Sequence, residues 1–140
     1  MKNDRSPRRL AVAVACLLMV GCSRSNAPTD VPSAKAALTA ALESWKAGQS
    51  PDSLRQRSPC IVMVDDAWQK GEKLESFENA APEVDDGVNL HCTVKLALND
   101  ERAGRRSEQV TYIVGTAPTI TIFRDPSPLT LPSGDRPAKP

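Results

Sequence analysis

The sequence predicts an α+β domain, in which an N-terminal helix packs on one face of a curved antiparallel sheet of four to five strands. Two patterns carry that expectation. Ala34, Ala37, Leu38, Ala41, Leu42 and Trp45 recur at the three-and-four spacing of a helical stripe. Val88, Leu90, Cys92, Val94, Leu96 and Leu98 alternate with Asn89, His91, Thr93, Lys95, Ala97 and Asn99. That period of two belongs to a strand with one dry and one wet face. A one-sided helix and a one-sided sheet bury each other most economically when the helix lies across the sheet.

The elements follow in order. The helix occupies residues 34–47, with Ser33 placed to cap its start and Gly48 suited to its end. A short second helix restarts at Ser50-Pro51, where Pro at the first helical position loses no hydrogen bond. Residues 61–64 form a short, continuously apolar strand, and 65–71 a turn or single helical turn. Residues 73–78 make a second strand, and 88–98 the clearest one. A polar loop over 99–104 ends in Gly and closes a hairpin. Residues 108–116 and 119–124 are the last two strands, separated by Ala117-Pro118. The sequence shows no internal repeat.

The first residues carry a different message. Lys2, Arg5, Arg8 and Arg9 precede an unbroken apolar run from Leu10 to Val20, which Gly21-Cys22 ends. A basic start, a short apolar stretch and a small residue at the cut make a secretory signal peptide over residues 1–21. The run is too short to span a bilayer, which takes about 20 residues. Leu18-Met19-Val20-Gly21-Cys22 resembles the lipobox of bacterial lipoproteins. The resemblance implies that Cys22 is acylated, with palmitate-type chains, and becomes the new N-terminus. Ser23 rather than Asp after it implies the outer membrane over the inner, facing the periplasm.

Residues 22–32, rich in Ser, Asn, Pro and Thr, read as a lipidated flexible tether. Residues 33–124 are one domain, and the Pro-rich residues 125–140 a disordered tail. Residues 1–21 hold four of the 18 basic and one of the 17 acidic residues, so the remainder is slightly acidic. That charge gives no electrostatic basis for nucleic-acid binding, which needs clustered Lys and Arg.

Three stretches carry a resemblance to uncharacterised lipoproteins of planctomycete-like bacteria. They are residues 41–48 (ALESWKAG), 64–71 (VDDAWQKG) and 111–118 (TYIVGTAP). The order of elements resembles the nuclear-transport-factor-like and cystatin-like α+β folds. Enzymes of the former fold carry an Asp or His general base in a cone-shaped pocket. The one histidine, His91, falls on the polar side of its strand, so the resemblance implies architecture rather than chemistry.

No catalytic constellation, cofactor motif or metal-ligand spacing stands out. Cys60 and Cys92 are the thiols left for a disulfide in an exported chain. The apolar position of Cys92 equally suits a small core residue. Asp65 and Asp66 lie beside Trp68, with Glu72 and Glu75 close in sequence. Their spacing lacks the alternating ligands and central glycine of a calcium loop. An exposed turn capping a helical segment is expected, with Trp68 plugging the sheet end or serving with Asp65 and Asp66 as an interaction site. Trp45 belongs to the helix stripe and hence to the core. The expected function is that of a non-catalytic envelope module, held to the membrane through Cys22 and meeting an envelope protein. The alternative is a pocket for a small apolar ligand between helix and sheet, lined by Leu38, Leu42, Trp45, Leu90, Val94 and Leu96. An enzyme built on a single buried carboxylate is the least favoured reading, because periodicity places most Asp and Glu residues outside.

Overall fold

The computed structural model describes residues 27–127. Residues 1–21, read as a signal peptide, Cys22 with residues 23–26, and residues 128–140, read as a disordered tail, lie outside the described residues. The structure is α+β, with one N-terminal helix, α1 (Val31–Lys46), laid on a six-stranded sheet. After α1 comes a 3₁₀ turn (Pro51–Gln56), then β1 (Ile61–Val64), a one-turn helix α2 (Asp66–Gln69) and β2 (Lys73–Asn79). Then follow β3 (Val84–Asp85), β4 (Asn89–Asp100), β5 (Gly104–Gly115) and β6 (Ile120–Arg124).

Helix α1 starts earlier than its stripe suggests. Asp30, not Ser33, is the cap: its Oδ1 accepts from the Ser33 N–H at 3.1 Å. Pro32 fits the first turn because that N–H has no helical partner. The Asp30 N–H also donates to Thr116 Oγ1 at 3.0 Å, pinning the helix start to the end of β5. The domain therefore begins at Asp30, inside the segment read as tether. Gly48, at φ +76°, takes the left-handed conformation that ends the helix. Ser50 does not cap the 3₁₀ turn with its side chain; its carbonyl accepts from Ser53 Oγ instead.

The strand order is β1-β6-β5-β4-β2, with β3 pairing beside β4. The sheet is mixed rather than wholly antiparallel, because β1 runs parallel to β6, Ile61 opposite Ile120 and Val64 opposite Phe123. Chain order cannot reveal this pairing, which joins strands distant in sequence. The β4–β5 hairpin pairs continuously from Asn89–Gly115 to Asp100–Gly104. Asp100 shapes its tip by accepting from the N–H groups of Arg102 and Ala103, and Gly104 turns the corner at φ +79°. The last pairing runs one residue past β6, where the Asp125 N–H donates to the Thr111 carbonyl at 2.8 Å.

One core lies between α1 and the sheet. The alternation predicted for β4 is observed: Leu90, Cys92, Val94, Leu96 and Leu98 are buried. Leu38, Leu42 and Trp45 of α1 meet them, with Leu54 of the 3₁₀ turn fully enclosed. Val88 departs from the stripe: it precedes the strand and stays 46% exposed.

Candidate functional site

The turn that carries Asp65, Asp66 and Trp68 caps a helical segment as expected, but it is only half exposed: Asp65, Ala67 and Trp68 are buried, and Asp66, Gln69 and Lys70 face out. Asp65 ends the link from β1 to α2 and is 2% exposed. Its Oδ1 caps α2, accepting from the N–H groups of Ala67 at 2.9 Å and Trp68 at 3.1 Å. Capping turns the carboxylate inward, toward β5 and β6. There Oδ2 accepts from the Tyr112 hydroxyl at 2.7 Å and from Arg124 Nη2 at 2.8 Å and Nε at 3.1 Å. A buried carboxylate needs this full set of donors. Asp66, by contrast, stays exposed.

The ion pairs continue across the sheet. Arg124 Nη1 donates to Glu108 Oε1 at 2.8 Å, and Arg106 Nη1 to Glu108 Oε2 at 2.6 Å. Arg106 Nη2 then reaches Glu72 Oε2 at 2.6 Å. Carboxylates and guanidiniums thus alternate from Asp65 to Glu72, and these two residues bracket α2. The chain of charges fastens both ends of the turn to β5 and β6. Burial, and then the Asp65 charge, push the Tyr112 hydroxyl well above its ordinary pKa. Burial opposes the Arg124 charge, but Asp65, Tyr112 and Glu108 outweigh it and hold the guanidinium protonated. Asp65 accepts five hydrogen bonds, so its oxygens are committed and it is not placed to take a proton from a substrate.

Trp68 plugs the sheet end, as one of its two sequence readings required. It is buried and stacks on Trp45, with centroids 5.4 Å apart and planes 8° from parallel. Both indole N–H groups are satisfied by backbone carbonyls, Trp68 by Gln49 at 2.9 Å and Trp45 by Glu72 at 2.7 Å. Neither ring is an exposed stacking platform. A surface cleft of about 560 Å³ lies beside them, bounded by Gln49, Asp52, Arg55, Val64 and Lys73. Of the six residues expected to line a pocket, Trp45 borders that surface cleft, while Leu38, Leu42, Leu90, Val94 and Leu96 line none of the four main clefts among the described residues. The space between helix and sheet is filled by their packing.

Cys60 and Cys92 are both free thiols, Cys60 exposed and Cys92 buried. The disulfide open to them on sequence is not formed. Cys60 precedes β1 and Cys92 lies on β4, with β6 and β5 between. Three strand spacings are about 14 Å, twice the reach of a disulfide, about 7 Å between Cα atoms. Cys92 is the small core residue of its alternative reading, and burial pushes its thiol up to about 11.

The surface that sequence reasoning missed is the face of the sheet opposite α1. Val64 pairs with Phe123, Phe123 with Ile113, Ile113 with His91 and His91 with Val84. These residues form one row across five strands on the uncovered face. Val64 is 49%, Phe123 40% and Val84 61% exposed. His91 interrupts the row; its Nε2 lies 2.8 Å from Asp86 Oδ2. The His91 hydrogen bond, with the N–H groups of Asn89 and Val88, holds the Asp86 carboxyl down at about 2. The signal for this row was available in part: Val62, Val64, Thr121 and Phe123 cannot face a core that Ile61, Met63, Ile120 and Ile122 already occupy.

Among the described residues, no group of His, Cys, Asp and Glu is placed to hold a metal ion. No described helix is long and apolar enough to cross a membrane. No family model matches this chain, and comparisons with curated proteins and with solved structures find no match.

Proposed function

We propose that this chain is a non-catalytic lipoprotein of the bacterial envelope, anchored through acylated Cys22 and working as an interaction or accessory module. The observation that carries the interaction reading is the row Val64–Phe123–Ile113–His91–Val84, apolar but for His91, on a sheet face that no other described element covers. Exposed apolar side chains gathered on one face mark contact surfaces. The anchor reading rests on the basic start, the apolar run and Gly21-Cys22. Burial of each acyl CH₂ contributes about 0.8 kcal/mol, and two or more chains give stable anchoring. The outer membrane, facing the periplasm, is the proposed location.

The α+β architecture, a helix on a sheet, is compatible with a cystatin-like or nuclear-transport-factor-like domain; kinship with planctomycete-like lipoproteins rests on the sequence stretches alone. The parallel β1–β6 pair departs from an all-antiparallel sheet. The filled core weighs against an internal pocket for an apolar ligand, and the five donors on Asp65 weigh against a general base.

Two experiments test the reading. Metabolic labelling with a palmitate analogue should mark the wild type and not Cys22→Ala, and only the wild type should sediment with membranes. Crosslinking in the native envelope should capture one dominant protein, and Phe123→Asp with Val64→Asp should lose it while melting like the parent. An unlabelled wild type would overturn the anchor. A crosslink indifferent to Val64 and Phe123 would overturn the surface.

A further inference from the structure

The β4–β5 hairpin outruns its neighbour. β6 pairs with β5 over Tyr112–Gly115, and Asp125 adds Thr111, whereas β5 begins at Gly104. The Thr111 carbonyl faces β6, so in an antiparallel ladder Gln109, Ser107 and Arg105 present their N–H and C=O groups on that same side. Among the described residues, none of these backbone groups has a hydrogen-bond partner on that edge. Arg105, Arg106, Ser107 and Gln109 are exposed. An open edge of this kind is a template for another strand.

The side chains favour one strand. Arg106 and Glu108 stand two residues apart on one face of β5, already paired with each other and, through Glu72 and Arg124, with the rest of the network, so a second copy would extend that network by exchange of partners. Antiparallel pairing of two copies about a two-fold axis at Ser107 sets Arg106 opposite Glu108 of the second copy, twice. Moving the axis by one residue sets Arg106 against Arg106, or Glu108 against Glu108. Opposite charges across strands stabilise a pair and like charges destabilise it, so one register is selected. In that register Gly104 of the second copy falls opposite Val110, one residue short of Thr111, whose place Asp125 already fills. The two Ser107 residues become a hydrogen-bonded pair with Cα atoms about 5.5 Å apart.

We infer that the open edge of β5 pairs with β5 of a second copy of this chain, antiparallel and centred on Ser107, to form a continuous sheet across a two-fold axis. The interface is isologous, as in most closed homodimers. Its charges favour a strand that carries the reciprocal Arg and Glu.

The full chain in detergent is the material for the test. Sedimentation velocity should show a protein dimer in the wild type and a monomer in Ser107→Pro. The Ser107 N–H points off the sheet edge, so proline there removes the pairing without removing an internal hydrogen bond. In a Cys60→Ser background, Ser107→Cys should crosslink to a dimer on mild oxidation. Arg105→Cys, whose two copies lie across from Gln109 and not from each other, should crosslink at least tenfold less. A wild type monomeric at all concentrations overturns the inference. So does a dimer that persists in folded Ser107→Pro, or equal crosslinking at positions 105 and 107. If Ser107→Pro fails to fold, the crosslinking pair alone decides.

Discussion

Asp65 and Arg124 meet inside the protein, with Nη2 of the guanidinium 2.8 Å from Oδ2 of the carboxylate. One residue follows β1 and the other ends β6, so the pair locks the two parallel strands at the same end where α2 begins. Removing the negative charge leaves Arg124 with Glu108 as its one carboxylate partner among the described residues. Asp65→Asn should destabilise the domain by about 3 kcal/mol, the lower end for broken buried pairs, because Arg124 keeps Glu108 and some solvent contact. Tyr112→Phe loses one hydrogen bond and should cost about 1 kcal/mol. Urea unfolding of both variants beside the parent checks the order.

Tyr112 is the single tyrosine of the chain, so its ionisation is read directly. Its folded pKa lies above the ordinary value of 10.0, raised by burial and by Asp65. The stability it contributes is therefore fully present below pH 10 and is lost as pH rises beyond it. Tyrosinate absorbance should appear together with unfolding, not before it. Tyr112→Phe should flatten the alkaline limb of the stability curve. A tyrosinate signal in folded protein near pH 10 would contradict the Asp65 contact.

The two thiols should differ in kind. A thiol reagent at neutral pH should label Cys60 in the folded protein and reach Cys92 only on unfolding, because the Cys92 thiolate is suppressed by burial and the sulfur is covered. Mass spectrometry after labelling, with and without denaturant, counts both. A mass two protons short, with neither site labelled, would restore the disulfide.

Leu90→Ala and Leu96→Ala should each cost about 2–5 kcal/mol, since both side chains are enclosed. Val88→Ala, on the same sequence stripe, should stay within about 0.5 kcal/mol. Thermal melts of the three variants separate the buried stretch of the stripe from its exposed start.

That contrast shows where the sequence was informative. Periodicity placed α1, β4 and the inward set from Leu90 to Leu98, because helix and strand repeats depend only on neighbours. It overran at Val88, because a stripe does not announce where pairing begins. β3 went unseen, since two residues carry no period. Asp65 was misplaced because its partners, Tyr112 and Arg124, lie 47 and 59 residues away. One clue was present: Tyr112 shares the alternation of Val110 and Val114, and a buried hydroxyl there requires an acceptor. The parallel β1–β6 pair left no mark in local sequence, and with it the outer row from Val64 to Val84 stayed hidden.

The partnership of Ile61 with Ile120 also sets a timetable. While the chain is being made, the run Ile61–Val64 waits without its one strand neighbour among the described residues until β6 has been synthesised. Every earlier intermediate carries an apolar strand with nothing beside it, the kind of segment that draws aggregation or chaperones. Pairing across so long a stretch is slow to find, because the intervening chain must first be ordered. Completion of the sheet is thus a late event, and a chain cut short of Ile120 would keep the helix stripe and the hairpin yet never close.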